Sequence, residues 1–460
     1  MNGLFAKTAL LPQGWARNVT LEWNAEGLLT AVSPDSTQAQ APWPVVDVLL
    51  PGMPNLHSHA FQRAMAGLTE YRSASQDSFW SWRTLMYAFA QKLDPDLLKA
   101  VASQLYIEML QAGYTSVCEF HYIHHDIGGL PYRDQTLLAQ CLVEAAEATG
   151  MGLTLLPVMY QYGGFGNAQP SSGQARFLNS PDWMLNTLTT LQRLHPQHAG
   201  LRYGVAPHSL RAVSQASLQQ LLDGLADFNP EAPIHIHIAE QTKEVDDCMA
   251  HYGQRPVQWL LNHFNVDARW CLVHATHMTD AETTAVARSG AVVGLCPSTE
   301  ANLGDGIFNG ITYKNENGVW GIGSDSNIMV DVAEELRSYE YSQRLLHRQR
   351  NVLAAGADGS VGHHLFTEAL KGGARAAARP VAGLVAGQRA DAIVLDASHP
   401  DLAGKQGNAL LDSFVFARHG NGLITDVMTA GQWRVRQGTH MQQAVVADGY
   451  RKALSVLLAA

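Results

Sequence analysis

Val45-Val46-Asp47-Val48-Leu49-Leu50-Pro51-Gly52-Met53-Pro54-Asn55-Leu56-His57-Ser58-His59 is an apolar run that closes on a His-X-His pair. Side chains alternate along an extended strand, so histidines one residue apart project from the same face. At a strand end, their nitrogens can share one divalent cation. Standing alone, such a pair is more often structural than metal-binding. The decision rests on whether His, Asp or Glu recurs at later strand ends.

Downstream of the pair, the chain repeats one rhythm: a short apolar strand, a polar or glycine-containing loop, then an amphipathic helix. The predicted strands cover residues 54–59, 116–120, 153–159, 201–206, 234–239, 270–275, 291–295 and 319–324. Helical periodicity fills the intervals, for example 95–112 and 137–149. Continuous apolar strands alternating with helices predict a parallel sheet covered by helices. Eight units predict an α/β fold, a (β/α)8 TIM-like barrel over residues 51–379, with its active site at the carboxyl ends of the strands. The competing open, doubly wound sheet is weakened because no G-x-G-x-x-G turn follows an early strand.

Both ends of the chain read differently. Residues 18–23 and 28–32 alternate around a turn, and a polar segment follows at 33–40. Residues 392–396, 413–417, 426–429 and 433–438 read as further short strands. Neither end is large enough to form a sandwich alone. They are expected to pair into one small β domain built from 1–50 plus 380–460.

Polar residues recur where the decision needs them. The fifth strand reads Ile234-His235-Ile236-His237-Ile238-Ala239-Glu240, the sixth closes on Val273-His274-Ala275, and the eighth on Gly323-Ser324-Asp325-Ser326. His57, His59, His237 and Asp325 supply the N/O ligands of a catalytic zinc site that keeps a position open for water. His235 shares a face with His237 one layer deeper and reads as core. Each residue has a bland alternative: His237 as a satisfied core histidine, Asp325 as the cap of a following helix, His274 bonded to a neighbouring carbonyl. Those alternatives would have to coincide on several strand ends of one chain.

Composition narrows the remaining classes. The chain has 460 residues, 46% of them apolar, and a formal net charge of −10. That balance argues against a nucleic-acid partner held by phosphate contacts. The five cysteines (Cys118, Cys141, Cys248, Cys271, Cys296) form no C-x-x-C pair, which fits buried thiols in a reducing cytoplasm. No signal-peptide core and no bilayer-spanning apolar stretch stands out, so no membrane role is expected.

The stretches 51–59, 237–240, 273–275, 323–325 and 383–396 resemble the amidohydrolase superfamily, and the resemblance runs over essentially the whole chain. Strand four, Leu201-Arg202-Tyr203-Gly204-Val205-Ala206-Pro207-His208, lacks the lysine that binuclear members carbamylate. Glu240 follows His237 by three residues. Both features are similar to the mononuclear deaminase and chlorohydrolase branch. The resemblance implies one metal per subunit on His57, His59, His237 and Asp325. Zn²⁺ is expected, and the same set would tolerate Fe²⁺ or Mn²⁺. It implies catalytic roles for Asp325 and His274, which orient the attacking water, and for Glu240, which passes a proton to the leaving nitrogen.

The loops speak to substrate. The segment 77–84 carries Arg83, and the loop after strand four carries Arg211. Arginines on the active-site face suit bidentate recognition of carboxylates, the alternative being structural ion pairs. Residues 57–67, 79–83, 119–122, 207–211 and 235–241 are similar to the formiminoglutamate deiminase family, whose substrate carries two carboxylates and a formimino carbon. That resemblance implies that Gln62 and Tyr122 contact the formimino-glutamate body, and that Arg83, His208 and Arg211 bind its carboxylates. It also implies N-formyl-L-glutamate and ammonia as products, a place in histidine degradation, and a cytoplasmic zinc-dependent homodimer. The rival readings are a deaminase of the same branch acting on guanine, an adenosine derivative or a triazine, and an inactive barrel scaffold. His121, His124 and His125 receive no role.

Overall fold

The computed structural model describes residues 2–37, 42–71, 79–356, 359–418 and 422–459. Residues 77 and 78 of the segment 77–84, and residues 38–40 of the polar segment, lie outside the described residues. The repeated rhythm forms two parallel sheets. The first orders β1 (Met53–Ser58), β2 (Tyr114–His121), β3 (Gly152–Met159) and β4 (Leu201–Tyr203) side by side. The second orders β5 (Ile234–Ile238), β6 (Trp270–His274), β7 (Val292–Leu295) and β8 (Val319–Ile322). These strands are buried almost throughout, as expected of a parallel sheet covered on both faces.

Backbone bonds link the two sheets at both margins. Val205 bridges to Ile234 and Ser209 to His237 on one side. On the other, Asp325 N donates to His57 O at 3.0 Å and His59 N donates to Asp325 O at 3.0 Å. The fourth predicted strand is interrupted. After Tyr203 the chain breaks at Gly204, where a Cβ would lie 2.4 Å from Pro233 O, and then forms the short strand Ala206–Pro207 against the end of β3.

A third, larger sheet joins the chain ends. Its order is Thr439–His440, Gln432–Arg436, Ile424–Thr429, Ala392–Leu395, Val45–Pro51, Asn2–Leu11, Gly14–Trp23 and Leu29–Ser33. Val45–Pro51 runs parallel to Asn2–Leu11 and antiparallel to Ala392–Leu395. One expectation fails here. Residues 413–417, read as a strand, belong mostly to the helix Asn408–Phe416. Leu410, Leu411, Phe414 and Val415 are its buried apolar residues, a spacing of one helical face. A five-residue apolar run cannot distinguish that face from a buried strand. The helix Gln443–Leu458 also went unread, and it packs on the helix Pro95–Gln111, where Gln111 Nε2 donates to Gln443 Oε1 at 3.0 Å.

The helix Val361–Ala376 closes over β8 at backbone contact distance. A Cβ on Gly372 would lie 1.8 Å from Trp320 O. Beneath its end, His235 Nε2–H donates to Ala376 O at 2.8 Å, which accounts for this histidine as a core residue. Gly372→Ala is therefore expected to force the helix off the strand and to cost about 3 kcal/mol. A fall in the urea midpoint measures that cost.

Candidate active site

The carboxyl ends of β1, β5, β6 and β8 converge. His57, His59 and His237 present Nε2 to a common point with the Asp325 carboxylate, and the four ligand atoms lie within 4.8 Å of one another. Asp325 Oδ1 is 3.3 Å from His57 Nε2 and 3.2 Å from His59 Nε2, and His57 Nε2 is 3.0 Å from His237 Nε2. All four residues are buried. Two rings are fixed from behind. His59 Nδ1 lies 3.0 Å from Phe120 O, and His237 Nδ1 lies 3.2 Å from His208 O. A ring that donates Nδ1–H to a carbonyl turns a lone pair on Nε2 inward, the usual support for a metal ligand.

The chain reaches this convergence through strained backbone. Ala239, His274, Ala275, Asp325 and Asn327 hold positive φ of 52°, 68°, 48°, 44° and 57°. Such conformations cost free energy in residues other than glycine and persist where the surroundings impose them. Asn327 imposes one: its Nδ2 donates to Asp325 O at 3.0 Å and to His59 O at 3.0 Å. Asp325 does not cap the next helix. Asp331 does, accepting from Glu334 N at 3.0 Å.

Electrostatics prepare the cluster for a cation. Burial lowers the His57 imidazole to about 3 and pushes His237 well below its ordinary range, so both are neutral, as ligation requires. Burial works to raise Asp325, but the bonds to His57 and His59 outweigh it and hold the carboxyl well below its usual value. Next to the cluster, His274 Nε2 is 3.8 Å from both Glu240 Oε1 and Asp325 Oδ2. Burial opposes charge on His274, yet Glu240, Glu300 and Asp325 together raise it. Burial is also the main cause that raises the Glu240 carboxyl. The pair is thus poised to hold and pass a proton.

A cavity opens on the cluster, and its walls include Gln62, Arg83, Tyr122, His208, Arg211, Glu240 and His274. Every residue expected at the site from the sequence is brought to this one place. Gln62 Nε2 donates to Tyr122 OH at 2.9 Å, leaving buried Gln62 Oε1 without a partner. Arg83 packs its guanidinium over Trp80 at 4.8 Å and near Tyr87 at 5.2 Å. Buried Nη1 of Arg83, and Nε and Nη1 of Arg211, make no hydrogen bond among the described residues. Arg211 Nη1 has Glu244 Oε2 at 3.5 Å, an ion pair too long to satisfy it.

Several participants escaped the sequence reading. Glu300 binds His274 Nδ1 at 3.2 Å and Cys296 N at 2.9 Å. It sits one helical turn after β7, and Pro297-Ser298-Thr299-Glu300 at that strand end was a legible signal. Asp305 is buried beside Glu240 and His274 and accepts from Gln241 Nε2. Burial, then Glu240, raises its carboxyl to about 9. Tyr87 and Tyr160, with hydroxyls 3.3 Å apart, complete the aromatic wall. His124 Nε2 and His125 Nε2 bond Val158 O and Leu178 O, which gives these two histidines a structural place outside the cavity. His121 is buried, does not line the cavity, and its Nε2 has no partner among the described residues.

Such a strand-end cluster of three imidazoles and a carboxylate, on parallel strands covered by helices, defines a metal-binding hydrolase site. The family model described as "Amidohydrolase family" matches residues 48–434, and the chain belongs to that family. A second model, "Formimidoylglutamate deiminase HutF, N-terminal domain", matches residues 1–41. The chain is 50% identical to a formimidoylglutamate deiminase of Pseudomonas aeruginosa, with 100% of both chains covered. Among solved structures it is similar to an amidohydrolase from Brucella melitensis, at 47% identity, a TM-score of 0.93 and 100% coverage of both chains. An adenosine deaminase from Xanthomonas campestris with bound zinc shares the fold at 21% identity and a TM-score of 0.80, over 100% of this chain and 98% of that one.

Proposed function

We propose that the chain is a metal-dependent deiminase that converts N-formimino-L-glutamate and water to N-formyl-L-glutamate and ammonia, as in histidine degradation. The observation that carries this reading is the distribution of unmet polar groups in one cavity. Arg83 and Arg211, each with guanidinium nitrogens that make no hydrogen bond among the described residues, line the cavity onto which the His/Asp cluster opens. A dicarboxylate with a reactive amidine carbon matches both kinds of group.

His57, His59, His237 and Asp325 would hold the metal. Three imidazoles and one ionised carboxylate form a donor set suited to Zn²⁺, and Fe²⁺ or Mn²⁺ would accept the same set. When bound, the cation activates water as a nucleophile near neutral pH. Asp325 and His274 would orient that water, and one of them would take its proton. Glu240 would pass to the imino nitrogen both protons of the water, the one released on attack and the one released from the adduct's hydroxyl as the formyl C=O forms, so that the nitrogen departs as ammonia. Gln62 Oε1 and the Tyr122 hydroxyl contact the formimino-glutamate body. Arg83, His208 and Arg211 receive the carboxylates.

The two parallel sheets are read as one closed (β/α)8 barrel over residues 51–379, supported by the backbone bridges at both margins. Residues 1–50 and 380–460 are read as the small β domain, supported by the sheet the two chain ends share. A cytoplasmic location is supported by five cysteines that are all buried and free. Among the described residues no helix is long and apolar enough to cross a membrane. A homodimer is supported by exposed Met441, Val445, Val456 and Leu458 at the C-terminal helix.

Ammonia release from formiminoglutamate, guanine, an adenosine analogue and a triazine tests the reading. Turnover is expected with formiminoglutamate alone. It is expected to vanish with the metal on chelation and to return with added Zn²⁺. Preference for a heterocycle would transfer the assignment to another deaminase. Full activity in metal-free protein would remove the metal from the account.

A further inference from the structure

Trp80, Arg83 and Tyr87 recur along the helix Phe79–Ala90 at the spacing of one helical face. The Arg83 guanidinium accordingly sits against two rings of its own helix, 4.8 Å from the Trp80 ring centroid and 5.2 Å from that of Tyr87. Two further cations reach the same indole from other elements. Arg211, in the loop after β4, brings its guanidinium to 5.9 Å. Lys243, at the start of the helix Thr242–Tyr252, brings its ammonium to 5.8 Å. Among the described residues that line the cavity, Arg83 and Arg211 are present and Trp80 is not.

Three positive groups on one side chain repel one another, and carboxylates offset little of that repulsion. Lys243 is met by Asp247 Oδ2 at 2.7 Å on its own helix. Arg211 has Glu244 Oε2 at 3.5 Å, an oxygen that also accepts from Glu240 N at 3.2 Å. Nη1 of Arg83 makes no hydrogen bond among the described residues. Arg83 and Arg211 also act on a common point, since both lie within electrostatic reach of His208. The face of an indole carries negative potential and attracts a guanidinium most strongly where water is excluded. A ring shared by both arginines offsets part of their repulsion and leaves their N–H groups free. A carboxylate in its place would take up those N–H groups in competition with a ligand.

We propose that Trp80 is a positioning residue that holds the guanidinium groups of Arg83 and Arg211 together at the cavity, ready for a dicarboxylate. The inference rests on the reading of these two arginines as carboxylate-binding groups. It adds the reason that two cations can stand together there without being neutralised in advance.

Glutarate, an unreactive five-carbon dicarboxylate, is the probe, and calorimetry reads its Kd on the metal-loaded protein. Trp80→Leu is expected to raise that Kd about tenfold, and Trp80→Phe, which keeps an aromatic face, about threefold. In an Arg83→Met background the same Trp80→Leu change is expected to cost about threefold at most, because the ring then acts on Arg211 alone. Kinetics give the matching split: KM for formiminoglutamate rises about tenfold, while kcat changes by no more than about twofold. An unchanged glutarate Kd in folded Trp80→Leu overturns the proposal. So does an equal loss with and without Arg83, the result expected of a ring that only packs the helix. So does a wild-type protein that binds no glutarate. If Trp80→Leu does not fold, the same measurements are read from Trp80→Phe, where a wild-type Kd is the overturning result. Glutarate binding that depends on Trp80, in a protein that releases no ammonia from formiminoglutamate, would remove the proposed reaction and leave this role of Trp80 in place. Turnover of formiminoglutamate with a glutarate Kd insensitive to Trp80 would do the reverse.

Discussion

Glu240→Gln is expected to lower kcat by about 10³-fold while leaving metal content and fold intact. The carboxyl lies 3.8 Å from His274 Nε2, in the wall of the cavity on which the ligand cluster opens, and it is not one of the four converging residues. Burial raises its pKa, which favours the protonated acid needed to release ammonia. Glutamine keeps the shape and can still accept a bond from its surroundings, but it has no proton to transfer. Elemental analysis beside steady-state kinetics separates the roles. A variant that lost its metal in step with its activity would make Glu240 a ligand instead of a proton carrier.

Arg211→Met is expected to raise KM for formiminoglutamate by about 10²-fold with little change in kcat. The guanidinium is buried, and its Nε and Nη1 make no hydrogen bond among the described residues, so the free protein already bears part of the cost of holding a charge that substrate would complete. Methionine fills a similar volume without the charge. The change also leaves Glu244, fully buried, without its ion pair at 3.5 Å. Thermal stability measured in parallel isolates that effect, and Arg211→Lys, which restores charge without the fork, is expected to recover only part of the KM. Unchanged KM in a folded Arg211→Met would remove this arginine from carboxylate recognition.

Both expectations rest on residues that were legible for different reasons. His57, His59, His237 and Asp325 stood out because each closes an apolar strand, and strand periodicity fixes the face a side chain takes. Arg83, expected in a loop, lies instead on the helix Phe79–Ala90, because the aromatic residues around it continue a helical face. His208 and Arg211 do lie in a loop. With no strand alternation to mark these three, the arginines were legible only by their charge and His208 only by resemblance. Glu300 and Asp305 were missed because they enter from beyond β7, whose own last residues are apolar. The helix Asn408–Phe416 was missed because five apolar residues carry too little period to choose between helix and strand.

Local sequence, then, determined the kinds of donor, their order along the chain, and their position at strand ends, since alternation and burial are properties of short segments. Which nitrogen of each imidazole faces inward, which carboxyl is charged and which arginine nitrogens lack a hydrogen bond were decided only by the tertiary structure. Those properties depend on neighbours such as Phe120 O for His59 and Glu244 for Arg211, brought together by chain closure over tens to hundreds of residues.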